Sequence, residues 1–145
     1  YVLNELDLSV SVFDYDAQAG TMTLRQTMPT VPKEQLVKEK FSSGSELCVH
    51  PTGKFVYAAN RGHDTVTAFA IDQGTGQLQV IEREPVRGAE PRNINLDPSG
   101  SWLLAAGQDS HTLASFQVNP QSGELVYNRS VIQTPAPICI LFDRD

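Results

Sequence analysis

The chain has 145 residues, with 17 acidic against 11 basic side chains and a formal net charge of −6. That balance argues against a nucleic-acid surface, and the longest positive cluster, over 33–40, is interrupted by Glu34 and Glu39. No stretch reaches the ~20 apolar residues a membrane-crossing helix needs, so neither nucleic acid nor a membrane is expected as a partner.

Taken in order, the sequence opens at Tyr1 in the middle of a structural unit. Residues 1–4 read as a second strand whose first strand is absent, without initiator Met or signal peptide, so the chain reads as a fragment. The first repeat spans 1–28. A long connection, 29–44, follows, in which 33–40 is expected to form two helical turns behind Pro32. The second repeat, 46–84, divides into four strands at 46–50, 55–60, 65–71 and 78–84. Pro51-Thr52-Gly53 and Gln73-Gly74-Thr75-Gly76 supply turn chemistry: proline fixes φ and glycine permits positive φ. Phe55-Val56-Tyr57-Ala58-Ala59 is apolar throughout, as expected of a strand covered on both faces. The third repeat spans 92–130, and 137–142 reads as a closing strand that opens another blade.

These units are copies of one another. Asn60, Phe69, Gly76 and Leu78 become Asn4, Phe13, Gly20 and Met22 on shifting back by 56, and Gly107, Phe116, Gly123 and Leu125 on shifting forward by 47. Strand-type sequence at such a period predicts an all-β fold, a β-propeller of four-stranded antiparallel blades. About three blades cannot close a ring of roughly four to eight. The remaining blades are expected from a missing N-terminal portion or, as the weaker alternative, from another copy of the chain, because an open blade leaves an apolar face and unpaired edges.

Strand direction decides where chemistry can lie. In an up-and-down blade, the loop after the second strand and the loop into the next blade open on one face. That face collects residues 4–7, 60–64, 87–93 and 107–111, and with them nearly every unusual ionisable residue, as a ligand site on loops over a rigid scaffold requires. The connection 29–44 falls on the same face, where it reads as a cover for the rim or a lid. Cys48 and Cys139 both fall in predicted innermost strands, where buried thiols are favoured over a disulfide. Metal ligation is least favoured, since no CxxC or His cluster accompanies them; no metal and no cofactor are expected. Asn128-Arg129-Ser130 matches a glycosylation sequon, read as chance, and no Ser stands in a GxSxG elbow.

Several segments together carry a family resemblance: Tyr1-Val2-Leu3-Asn4-Glu5-Leu6, Val49-His50-Pro51-Thr52-Gly53-Lys54-Phe55, Asn60-Arg61-Gly62-His63-Asp64, Pro91-Arg92-Asn93, Leu96-Asp97-Pro98-Ser99-Gly100 and Pro137-Ile138-Cys139. The whole chain resembles the C-terminal half of the seven-bladed lactonase family, which contains propeller-type 6-phosphogluconolactonases and fungal carboxy-muconate lactonising enzymes. The resemblance implies seven blades, a metal-independent site at the channel mouth and a cytoplasmic enzyme. Gly107 departs from it, standing where many relatives carry Asn.

The candidate residues follow. The resemblance places Glu5 in the active site as base or proton donor; as an isolated residue it would be a solvated loop carboxylate. Arg61 reads equally as a fork for a carboxylate or phosphate and as a structural arginine tying two loops, and the resemblance tips it to ligand binding. Arg92 carries the same ambiguity, while Asn93 and Gln108 are further substrate-binding candidates. His63 is a second catalytic candidate, able to shuttle protons near neutrality. For Asp64 and Asp109 a capped turn is favoured; His50 reads as structural, and His111 has no evident partner. Two reactions fit an anion clamp beside a titrating group: hydrolysis of an anionic sugar lactone, preferred, and a carboxy-muconate lactonising cycloisomerisation. A non-catalytic binding propeller is the third reading, and the isolated fragment is expected to be inactive.

Overall fold

In a computed structural model, which describes residues 1–37 and 39–143, the repeat becomes three antiparallel sheets. The first holds β1 (Val2–Asn4), β2 (Ser9–Asp16) and β3 (Thr21–Pro29) in sequence order. The second holds β4 (Ser43–Val49), β5 (Phe55–Arg61), β6 (Thr65–Ile71) and β7 (Leu78–Pro85). The third repeats that order with β8 (Pro91–Leu96), β9 (Trp102–Gly107), β10 (Thr112–Val118) and β11 (Leu125–Gln133). Each sheet is one blade of a β-propeller. Even irregularities repeat: the pairing of third with fourth strand slips between Val12 and Phe13, between Ala68 and Phe69, and between Ala114 and Phe116.

The core lies between successive blades. Because side chains alternate along a strand, β5 sends Phe55, Tyr57 and Ala59 toward the third blade, where they meet Ile94, Leu103 and Phe116. It sends Val56 and Ala58 toward the first blade, against Val10 and Val12, in a cluster that Leu78 of β7 joins. Both sides are therefore buried, which explains the unbroken apolar run. Each such large side chain contributes about 1.5–3 kcal/mol on burial.

Polar rivets join the blades at equivalent positions. Tyr1 Oη donates to the Gly76 carbonyl at 2.8 Å, and one repeat later Tyr57 Oη donates to Gly123 at 2.9 Å. Gln26 Oε1 accepts the Leu78 N–H at 2.7 Å, and Glu82 Oε1 accepts that of Leu125 at 2.5 Å. On the face opposite the loops that carry the candidate residues, His50 is structural, as expected: it is 5% exposed, with Nε2 3.0 Å from the Gly100 oxygen and Nδ1 2.8 Å from Thr52 Oγ1.

Three expectations need correction. The helical turns over 33–40 reduce to a single 3-10 turn, Lys33–Gln35, which no side chain caps; Lys38 lies outside the described residues. The closing strand over 137–142 forms no ladder. It runs beside β8 instead, held by Asn95 Nδ2 donating to the Ile140 oxygen and by the Ile140 N–H donating to Asn93 Oδ1, both at 2.9 Å. The physical reason is that the described residues include no second strand of that blade for it to pair with. Cys139, on this segment, is consequently exposed rather than buried, while Cys48 is half-buried in β4 and its Sγ donates to the Ile94 oxygen at 3.3 Å; both thiols are free.

Candidate active site

The repeat places Glu5, Arg61 and Gln108 at one equivalent position, where each second strand ends, since they are separated by the same shifts of 56 and 47. Arg61 Nη2 forms an ion pair with Glu5 Oε1, joining two blades. The Gly44 N–H donates to the Glu5 carbonyl at 2.8 Å, so the backbone carrying Glu5 is fixed to β4. The Arg61 side chain is 19% exposed and that of Glu5 60%. A shielded guanidinium therefore presents an open carboxylate to solvent, and Glu5 Oε2 makes no hydrogen bond among the described residues. Gly62, next in the chain, has φ +77, and a Cβ there would stand 2.2 Å from the Phe41 oxygen. Only glycine lets the Arg61 turn pass this close to the 29–42 connection.

Beside this pair lies a cleft of about 290 Å³, lined by Leu3, Glu5, Gly44, Ser45, Glu46, Leu47 and Arg92. Arg92 is exposed and makes no ion pair among the described residues, so it offers its guanidinium to a ligand. Glu46, by contrast, is committed: Oε2 accepts from Asn93 Nδ2 at 2.6 Å and Oε1 from the Leu47 N–H at 3.2 Å. Asn93 spends its other amide atom on Ile140, so it links β4 to the C-terminal segment. The two carboxylates of the cleft thus differ: Glu46 is fully bonded, and Glu5 keeps one oxygen free.

Not every candidate converges here. Arg61 meets the cleft only through Glu5 and is itself absent from the lining; His63 is absent too, its Nδ1 2.8 Å from Thr65 Oγ1. Asp7 with Ser9 and Ser110 with Thr112 repeat that local pairing in the other blades, at 2.9 and 2.7 Å. Burial, with Arg83 and Lys40 nearby, lowers the His63 pKa despite the opposing pull of Asp64. Gln108 is half-buried in the β9–β10 turn, its N–H donating to the Glu90 oxygen at 3.0 Å, and it too is absent from the lining. The departure at Gly107 has a steric account, since Ser110 Oγ would stand 2.3 Å from a Cβ there. Sequence reasoning missed Glu46 and Ser45 as cleft residues, although the forward shift of 47 puts them on Asn93 and Arg92. It also found no partner for His111, whose Nδ1 accepts the Ala136 N–H at 2.9 Å.

Against this geometry, a family model described as "Lactonase, 7-bladed beta-propeller" matches residues 1–142. The chain belongs to the seven-bladed β-propeller lactonase family. Among curated family relatives, a 6-phosphogluconolactonase of Bacillus subtilis is 32% identical over 142 residues, which is 98% of this chain and 40% of that protein. A 6-phosphogluconolactonase of Formosa agariphila is 35% identical over 127 residues, 86% of this chain and 34% of that protein. Of the solved structures, a periplasmic gluconolactonase of Pseudomonas aeruginosa superposes with a TM-score of 0.82 at 31% identity, covering 92% of this chain and 36% of that one. The chain therefore spans about two-fifths of the length of these lactonase relatives. Among the described residues no helix is long and apolar enough to cross a membrane.

Proposed function

We propose that the full-length protein hydrolyses an anionic sugar lactone, with 6-phosphogluconolactone of the pentose phosphate pathway as substrate. The observation that carries this reading is a single cleft lined by Glu5, with one carboxylate oxygen open and the other paired to Arg61, and by the unpaired Arg92. Glu5 takes a proton from a water that attacks the ring carbonyl. As the new C–O bond forms, the ring C–O bond breaks, and the departing ring oxygen leaves with a proton returned by Glu5. To Arg61, ion-paired with Glu5, we assign the contact with the charge developing on the carbonyl oxygen. Arg92 holds the phosphate, which a guanidinium fork suits. Gln108, Asn93 and His63 lie outside the cleft lining and take no part in this reading.

The remaining blades of the ring complete the site by covering the open sides of the first and third blades. Two free thiols, one exposed, favour a reducing compartment such as the cytoplasm.

The test is turnover of freshly prepared 6-phosphogluconolactone, gluconolactone and a carboxy-muconate by the full-length protein, corrected for spontaneous ring opening. A preference for the phosphorylated lactone of about ten-fold or more in kcat/KM is expected, the worth of one charge-assisted contact. Turnover of the carboxy-muconate alone would replace hydrolysis by cycloisomerisation, and no turnover at all would leave a binding propeller.

A further inference from the structure

Residues 86–90 connect β7 to β8, whose second residue, Arg92, lines the cleft. Two of them, Arg87 and Glu90, have φ of 58° and 53°, a left-handed conformation that costs a side-chain-bearing residue about 1–2 kcal/mol. Such strain persists only where the surroundings over-determine it, and it clusters where function needs a fixed geometry. Here the connection is held from both sides. From the third blade, Gln108 N–H donates to the Glu90 oxygen at 3.0 Å, and Ser110 Oγ accepts the Ala89 N–H at 2.9 Å. From the second blade Asp64 holds both ends, beside Glu84, which pairs with Arg87, and Ser45, whose Oγ donates to the Pro91 oxygen at 2.5 Å. The Asp64 carbonyl accepts the Val86 N–H at 3.0 Å, its Oδ1 accepts the Glu90 N–H at 2.8 Å, and its Oδ2 meets Lys40 Nζ at 2.9 Å.

The repeat shows that this arrangement is a device. One unit on, the His111 carbonyl accepts the Thr134 N–H and His111 Nδ1 accepts the Ala136 N–H, both at 2.9 Å. Ala136 again has positive φ, 42°. One unit back stands Leu8, whose carbonyl accepts the Thr30 N–H at 2.7 Å. Its side chain has no acceptor, and the connection that follows is the long one. A side-chain acceptor at this position accompanies a short segment of positive φ after the fourth strand in both units that carry one.

From this we infer that Asp64 is a positioning residue, its carboxylate pinning the 86–90 connection at Glu90 and so setting the reach of Arg92 into the Glu5 cleft. The inference rests on reading Arg92 as the anion-binding group. Asp64→Gly removes the acceptor while tolerating the residue's own φ of 60°, and Asp64→Asn keeps an oxygen for the Glu90 N–H. Lys40→Ala isolates the ion pair. In the full-length protein, amide exchange at Glu90 should accelerate about ten-fold or more in D64G and stay within about three-fold of wild type in D64N and K40A. KM for 6-phosphogluconolactone should rise about five-fold in D64G with kcat within about two-fold, and D64N should restore it. Unchanged exchange at Glu90 in D64G overturns the pin. Faster exchange with unchanged KM overturns the positioning of Arg92. Should the wild type not turn over the lactone, the reading of Arg92 falls, and the exchange data still decide whether Asp64 pins the connection.

Discussion

His63 shows how one residue's surroundings assign its role. Its ring is half-buried with Nδ1 on Thr65, and burial together with Arg83 and Lys40 holds its pKa below the ordinary 6.5. A histidine whose folded-state pKa is depressed contributes stability that is fully present above the unfolded value. That contribution is lost as pH falls through the folded value. Acidifying from pH 7 to pH 5 should therefore lower the urea midpoint of the wild type more than that of His63→Asn, which keeps a hydrogen-bonding group for Thr65 but does not titrate. Equal losses in both proteins would refute this account of His63. Cys48 illustrates the same physics for a thiol: burial first, then the nearby Glu46, pushes its pKa up to about 12, so it is an inert core group.

At the scale of elements, the blades are joined by contacts that recur with the repeat, and Tyr57 is the most buried of them. Its hydroxyl donates to the Gly123 carbonyl across the interface, and the side chain is 0% exposed. Tyr57→Phe leaves that carbonyl without its partner and should cost about 1–2 kcal/mol, read as a drop in the denaturation midpoint at unchanged m-value. A neutral substitution would mean that the rivet contributes nothing beyond packing.

Strand placement was legible in the sequence because apolar runs and turn residues are local signals, and Phe and Gly recurring in all three copies, with Asn in two of them, marked their repetition. The connections were not legible in the same way. The 33–40 segment carries helix-forming residues, yet it forms only the Lys33–Gln35 turn, since a short exposed connection has no apolar face to stabilise more. Pairing of 137–142 failed for a topological reason, the want of a partner strand. The roles of Glu46, Asp64 and His111 depend on residues 25 to 47 positions away, and only the stacking of blades brings those together. The repeat carried that information, but reading it required knowing which strand faces which.

At the scale of the molecule, the outer blades keep apolar residues uncovered: Tyr15, Met22 and Leu24 on the first, Val126 and Ile132 on the third. A soluble protein rarely leaves such faces open, which accords with relatives of which this chain covers about two-fifths. Glu5 and Arg92 line one cleft and Arg61 pairs with Glu5; on the function proposed above, the remaining blades would supply the rest of the site.

The most direct measurement is kcat/KM for 6-phosphogluconolactone with the full-length protein and its Glu5→Gln and Arg61→Ala variants, each checked for native circular dichroism. Loss of the base or of the guanidinium should lower kcat/KM by about 100-fold or more in either variant. Wild-type activity retained in a folded Glu5→Gln or Arg61→Ala protein would contradict the placement of lactone hydrolysis at this pair.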